Sequence, residues 1–171
     1  LDAIVTGEEI SPGDALIGLP SSGLHSNSYT LARKAVEDLP LEGELADMLL
    51  EPTVIYVRAA LALLRSEIPV HGLAHITGGG LRNLLRLNAR VGFAIEDPLP
   101  VPAICTLVAE LGNIGPAEMW DVFNMGCGFV ALVPEARAEE AVALLATRHP
   151  GTARIGTVTG DSHGALVHQT A

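Results

Sequence analysis

Three short glycine-marked turns, each set against an apolar run, constrain this chain more than any other feature. The first lies within residues 16–33, LIGLPSSGLHSNSYTLAR. There an apolar strand runs through Pro20, Ser21, Ser22 and Gly23, past His25 and Asn27, into an amphipathic helix. The second is HITGGG at residues 75–80 and the third is FNMGCG at residues 123–128. Strand, small-residue turn and helix start are the parts from which proteins build anion sites. The turn lets the backbone approach a ligand, and the first N–H groups of the helix point outward unpaired.

A chain of 171 residues fits one domain with a single core. Nearly half of it is hydrophobic, at 49%, yet no window has the uninterrupted apolar length of a membrane span. The reading is a soluble globular domain. Ten Lys and Arg stand against twenty Asp and Glu, a formal net charge of −10. That balance argues against nucleic acid, whose phosphates need basic neutralisation, and against an anionic membrane surface. It leaves room for a phosphorylated metabolite, since a helix N-terminus and a glycine turn hold one phosphate without a basic patch. Cys105 and Cys127 are the only cysteines and form no Cys-x-x-Cys pair. They are expected to be reduced, buried, small apolar residues of a cytoplasmic protein. No signal peptide is visible, and the start at Leu1 rather than Met leaves room for an upstream segment.

Along the chain, residues 14–20 read as a strand, followed by a helix over roughly 27–38 and a Pro/Gly-marked break at 39–44. A helix is expected to open at Glu51–Pro52 and run to Pro69, apolar nearly all round and hence packed or at an interface. Residues 73–77 and 91–96 read as strands, with a turn at 78–80 and a short helix at 81–87 between them. Helices are expected at 102–111 and 116–122, a strand at 128–134 and a helix at 135–149. The last two strands, 154–160 and 165–169, read as a hairpin around 161–164. Strands and helices mix without strict βαβ alternation, which implies an α/β sandwich with a mixed or antiparallel sheet.

Each candidate residue has a functional and a structural reading. His25 and Asn27 either bind a polar ligand, with Ser21, Ser22 and Gly23 allowing close backbone approach, or Ser26 or Asn27 simply caps the helix. Three consecutive glycines support neither helix nor strand, so Gly78, Gly79 and Gly80 make room for a ligand beside the Thr77 hydroxyl, or else pack a helix tightly against the sheet. His71 and His75 share an i, i+4 spacing, but no third metal ligand is evident nearby, and structural histidines are the better reading. Asn124 either orients a ligand or ties down its own turn. Met125 reads as core, Glu118 and Asp121 as a solvated face, and His163 as an exposed hairpin residue.

Taken together and in this order, the motifs resemble the C-terminal domain of phosphoribosylformylglycinamidine cyclo-ligase, or AIR synthetase. The matching residues are Gly13 and Asp14, LIGLPSSGLHSN at 16–27, LEPTVIY at 50–56, VHGLAHITGGG at 70–80 and EMWDVFNMGCG at 118–128. The resemblance implies a three-layer α/β/α domain, with the sheet mixed and largely antiparallel. It implies a purine-biosynthesis enzyme in which ATP activates a formyl oxygen as a phosphate ester and an internal nitrogen displaces phosphate to close an imidazole ring. An N-terminal domain, absent here, would carry most ATP and Mg2+ contacts and much of a homodimer interface. The resemblance assigns substrate contacts to Ser22, Gly23, His25, Ser26, Asn27, Thr77, Gly78, Gly79, Gly80, Asn124 and Gly126, with catalysis mainly by positioning and charge stabilisation. The other readings are a selenophosphate synthetase or thiamine-phosphate kinase relative, and a binding or assembly module that kept the fold without the reaction.

Overall fold

A computed structural model of the chain describes residues 4–25 and 29–160 and the backbone of 166–168. Its centre is β1 (Ala15–Pro20), in which five successive residues are buried, so both faces of the strand are covered. The other strands are β2 (Gly72–His75), β3 (Gly92–Ile95), β4 (Cys127–Val133), β5 (Ala153–Thr159) and β6 (Leu166–His168). They form one sheet in the order β2-β4-β1-β5-β3-β6. Every neighbouring pair is antiparallel except β3 with β6, which is parallel. The sheet is thus mixed and largely antiparallel, as the sequence indicated.

The two-residue side-chain period of a strand sorts the apolar residues onto two faces. Ala15, Ile17, Leu19, Ala131 and Val133 pack with α3 (Val57–Leu64) and α6 (Ala138–Ala146). Leu16, Ile76, Val130, Leu132, Phe93 and Ile155 face the other way, onto Leu81 and Leu84 of a 3₁₀ segment, Gly80–Arg86. A third cluster joins α1 (Tyr29–Ala35), α2 (Gly43–Leu50), α4 (Ala103–Leu111) and α5 (Pro116–Val122) around Ile104, Cys105, Val108, Met119 and Phe123. Each fully buried Leu, Ile or Phe among these contributes about 2 kcal/mol of transfer free energy. Both cysteines are free and buried. Among the described residues, no helix is long and apolar enough to cross a membrane.

Four local expectations are corrected. The helix expected from Pro52 begins at Val57 and ends at Leu64. Residues 51–56 hold no regular structure. Thr53, Val54 and Ile55 are three β-branched residues in a row, which lose χ1 freedom in a helix. Tyr56 is anchored instead, its hydroxyl donating to the Pro20 carbonyl at 2.7 Å. Secondly, α2 begins at Gly43, within the expected break at 39–44, and is held by Leu45, Met48 and Leu49, a spacing of three and four residues that faces the third cluster. Thirdly, residues 81–87 coil as a 3₁₀ segment, with Leu81 and Leu84 buried three apart, the period of that helix. A second 3₁₀ turn, Glu135–Arg137, likewise precedes α6.

The fourth correction concerns the end of the chain. β5 and β6 do not form a hairpin, because β3 lies between them. β5 already pairs β1 on one side and β3 on the other, so it has no free edge for β6, which pairs β3 instead. The expected turn at 161–164, with His163, lies outside the described residues.

Candidate functional site

Topology brings the three motif turns together. β1 and β2 both run antiparallel to β4 and lie on either side of it. The ends of β1 and β2 therefore meet the start of β4 at one end of the sheet. The loop after β1 (residues 21–25), the loop after β2 (76–79) and the loop before β4 (123–126) become neighbours.

Hydrogen bonds join them. The Asn124 side chain is 2% exposed, and its oxygen accepts from Ser21 Oγ at 2.8 Å and from the Gly126 N–H at 2.9 Å. Its amide nitrogen donates to the Gly23 carbonyl at 2.8 Å. The Ser21 N–H donates to the Gly126 carbonyl at 2.8 Å, closing the first loop onto the third. Asn124 thus ties down the turns in this structure, and leaving such partners buried and unpaired costs about 1–3 kcal/mol each. Ser22 Oγ donates to the Pro52 carbonyl at 2.7 Å, and Gly23, at φ +148°, takes a conformation that favours glycine.

In the second loop, the Thr77 N–H donates to Asn83 Oδ1 at 2.9 Å, and Asn83 Nδ2 donates to the Gly78 carbonyl at 3.2 Å. The Thr77 hydroxyl has only a long 3.5 Å approach to the same oxygen. Gly80 serves packing: it has φ +52°, and a Cβ there would lie 2.5 Å from the Phe123 and Trp120 carbonyl oxygens. Gly78 and Gly79 remain half-buried beside it. Met125 packs in the third core cluster, and Asp121 is half-exposed against Arg82 at 3.3 Å. His71 is bonded to Asp14 at 2.8 Å. Among the described residues no group of three His, Cys, Asp or Glu side chains is placed to hold a metal ion.

His25 is the chemically distinctive member. It is 2% exposed, and Nδ1 lies 2.9 Å from the Ile76 carbonyl oxygen. A carbonyl only accepts, so Nδ1 carries the proton and a neutral ring presents Nε2 as a lone-pair acceptor. Nε2 is buried and has no hydrogen-bond partner among the described residues. Burial holds the imidazole below its ordinary pKa of 6.5; the Ile76 bond opposes this and the nearby His75 adds to it. His25 is therefore neutral at pH 7.

Around it stands an aromatic group. The Tyr56 ring lies 6.3 Å from His25, 5.8 Å from His75, 5.2 Å from His149 and 5.4 Å from Phe129, on which it stacks. His25 and His75 are 5.4 Å apart. Beside this group runs an apolar groove of about 400 Å³, lined by Tyr56, His75, Phe129, Val54, Val57 and Leu61. The first, second and third loops carry no lysine or arginine, so they offer neutral hydrogen-bonding groups and shape rather than positive charge. Ser26 and Asn27 lie outside the described residues. Sequence reasoning did not single out Tyr56, Asn83, Gly128 or His149. Tyr56 and Gly128 do fall within the motif stretches, whereas His149 carries no local signal.

The layered sheet with this loop cluster at one end defines a fold also found in hydrogenase maturation protein HypE. A HypE crystal structure aligns at a TM-score of 0.71 and 24% identity, covering 100% of this chain and 54% of that one. Another HypE structure, at a TM-score of 0.67, is a complex with ATP. The chain belongs to the family of AIR synthase related proteins, C-terminal domain, whose pattern matches residues 11–169. Phosphoribosylformylglycinamidine cyclo-ligase of Thermococcus kodakarensis is 51% identical over 164 residues, 92% of this chain and 48% of that protein. The cyclo-ligase of Methanopyrus kandleri is 43% identical over 171 residues, 96% and 49% respectively. The chain thus spans about half the length of the curated relatives it matches.

Proposed function

We propose that this chain is the substrate-enclosing, C-terminal domain of a phosphoribosylformylglycinamidine cyclo-ligase, active when joined to an N-terminal ATP-binding half. The observation that carries the reading is the gathering of all three family motifs at one end of the sheet around a buried, neutral His25. The relatives that match at 43–51% identity are named as cyclo-ligases, which favours this branch over the thiamine-phosphate kinase and selenophosphate synthetase readings.

The reaction has two stages. The formyl oxygen attacks the terminal phosphorus of ATP, releasing ADP and leaving a phosphate ester on that carbon. An internal nitrogen then attacks the carbon, the C–O bond breaks with loss of phosphate, and the nitrogen gives up a proton. His25 Nε2 accepts a hydrogen bond from a substrate N–H, while the Thr77 hydroxyl and the backbone of Ser22, Gly23, Gly78 and Gly79 surround the polar substrate. Ser26 and Asn27, next to His25 in the sequence, would supply further substrate contacts. Asn124 and Gly126 hold the loops in register. On this reading the N-terminal half would hold the metal and the nucleotide phosphates. This division fits a loop cluster without basic residues. The enzyme would be cytoplasmic and homodimeric.

The test uses the full-length parent protein with formylglycinamidine ribonucleotide, ATP and magnesium, following ADP and aminoimidazole product together. Coupled formation of both is expected, and His25→Ala should weaken substrate binding while the protein stays folded. ADP without the imidazole would point to a relative with another acceptor. Neither, in a folded protein, would favour a binding or assembly module.

A further inference from the structure

Gly128 is the second residue of β4 and the last glycine of the third motif. A Cβ built there would run into the Tyr56 hydroxyl, and would lie 2.7 Å from His25 Cε1 and 2.8 Å from Tyr56 Cζ. The missing side chain therefore leaves a notch in the sheet that two rings share. The Gly128 carbonyl accepts from the Ile76 N–H at 2.9 Å, and the Ile76 carbonyl is the group that holds His25 Nδ1. From the other side, the Tyr56 hydroxyl donates to the Pro20 carbonyl, at the start of the loop that carries His25.

We infer that Tyr56 and Gly128 are a positioning pair for His25: the notch at Gly128 seats both rings, and Tyr56 locks the imidazole so that Nδ1 stays on Ile76 and Nε2 stays free. The two parts act from different sides. Gly128 supplies space on one edge of the imidazole and, through its carbonyl, fixes Ile76. Tyr56 fills the notch beside the ring and joins the Pro20 end of the loop to α3. Phe129, stacked on Tyr56 at 27° between planes, holds Tyr56 itself. Neither Tyr56 nor Gly128 needs to touch substrate. The pair would define which nitrogen of His25 a ligand meets, a detail that controls whether the histidine accepts or donates. The titratable groups around the ring are His75 on β2 and Tyr56, with His149 and Cys127 beyond Tyr56.

The experiment reads the imidazole directly, so its outcome does not depend on the proposed activity. Histidine-labelled protein is examined by nitrogen-15 NMR from pH 5 to 8, as wild type, Tyr56→Phe, Gly128→Ala and the double variant. Wild type is expected to show His25 as the single Nδ1–H tautomer with a titration midpoint below the ordinary value. Tyr56→Phe, which keeps the ring and loses only the Pro20 bond, should show both tautomers and a midpoint shifted upward as water reaches Nε2. Gly128→Ala should do the same more strongly. The double variant should recover part of the Gly128→Ala loss, because removing the hydroxyl removes the nearest atom the new methyl strikes. In the full-length enzyme the single variants should lose roughly tenfold to a hundredfold in kcat/KM. A Tyr56→Phe protein that keeps one tautomer and the wild-type midpoint would overturn the inference, whatever its activity. Strictly additive losses in the double variant would overturn the shared notch.

Discussion

His25 shows how one side chain's chemistry follows from three neighbours. The Ile76 carbonyl selects the tautomer, burial keeps the ring neutral and the packed aromatic group keeps it in place. The same facts set a stability signature. His25 and His149 both have pKa values lowered from 6.5, chiefly by burial. The unfolded chain thus takes up protons near pH 6.5 before the folded chain does. Their contribution is present above that pH and is lost as pH falls through the lower folded values. We expect the melting temperature to decline between pH 7.5 and 5.5, and His25→Gln to flatten that decline. Equal slopes in the two proteins would count against a buried neutral His25.

At the scale of elements, α3 separates what composition suggests from what packing does. The sequence marks it as apolar nearly all round, yet only one side meets the sheet. Leu63 is 0% exposed against α6 and β1, whereas Leu61 is 41% exposed. Leu63→Ala should therefore cost about 3 kcal/mol, transfer and cavity terms together. Leu61→Ala should stay within about 0.5 kcal/mol, as exposed positions generally do. Urea unfolding of both variants checks this pair, and equal losses would mean the helix is rotated from its described position. Elements with strong punctuation were legible beforehand: α5 opens on Pro116 and ends at Val122 as expected, because Pro at the first helical position is favoured. Elements ruled by neighbours were not. Residues 51–56 are drawn out of the helix by the Tyr56–Pro20 bond, a contact 36 residues apart.

For the whole molecule, the notable surface lies along residues 50–61. Leu50, Ile55, Val57 and Leu61 are all substantially exposed, with Ile55 at 76%, and the last three line the apolar groove beside Tyr56. A contiguous exposed apolar patch binds hydrophobic dyes and promotes association. The 171-residue chain alone should enhance anilinonaphthalene sulfonate fluorescence in its folded state, and Ile55→Ser with Val57→Ser should remove most of that signal. Undiminished fluorescence in the double variant would place the dye elsewhere.

What the sequence determined by itself is local: an α/β composition, most strand and helix positions, and three glycine-marked turns that carry the family resemblance. Side-chain periodicity, proline and glycine act within a few residues, so they are readable without the fold. What only the tertiary structure decided is adjacency. Strand order placed β3 between β5 and β6, where the sequence suggested a hairpin. The two antiparallel pairings of β4 gathered turns separated by some fifty residues each into one cluster. The same pairing turned Gly128 from a motif letter into a notch for His25 and Tyr56. These are long-range contacts, made by burial and hydrogen bonding between segments whose local patterns carry no record of their partners.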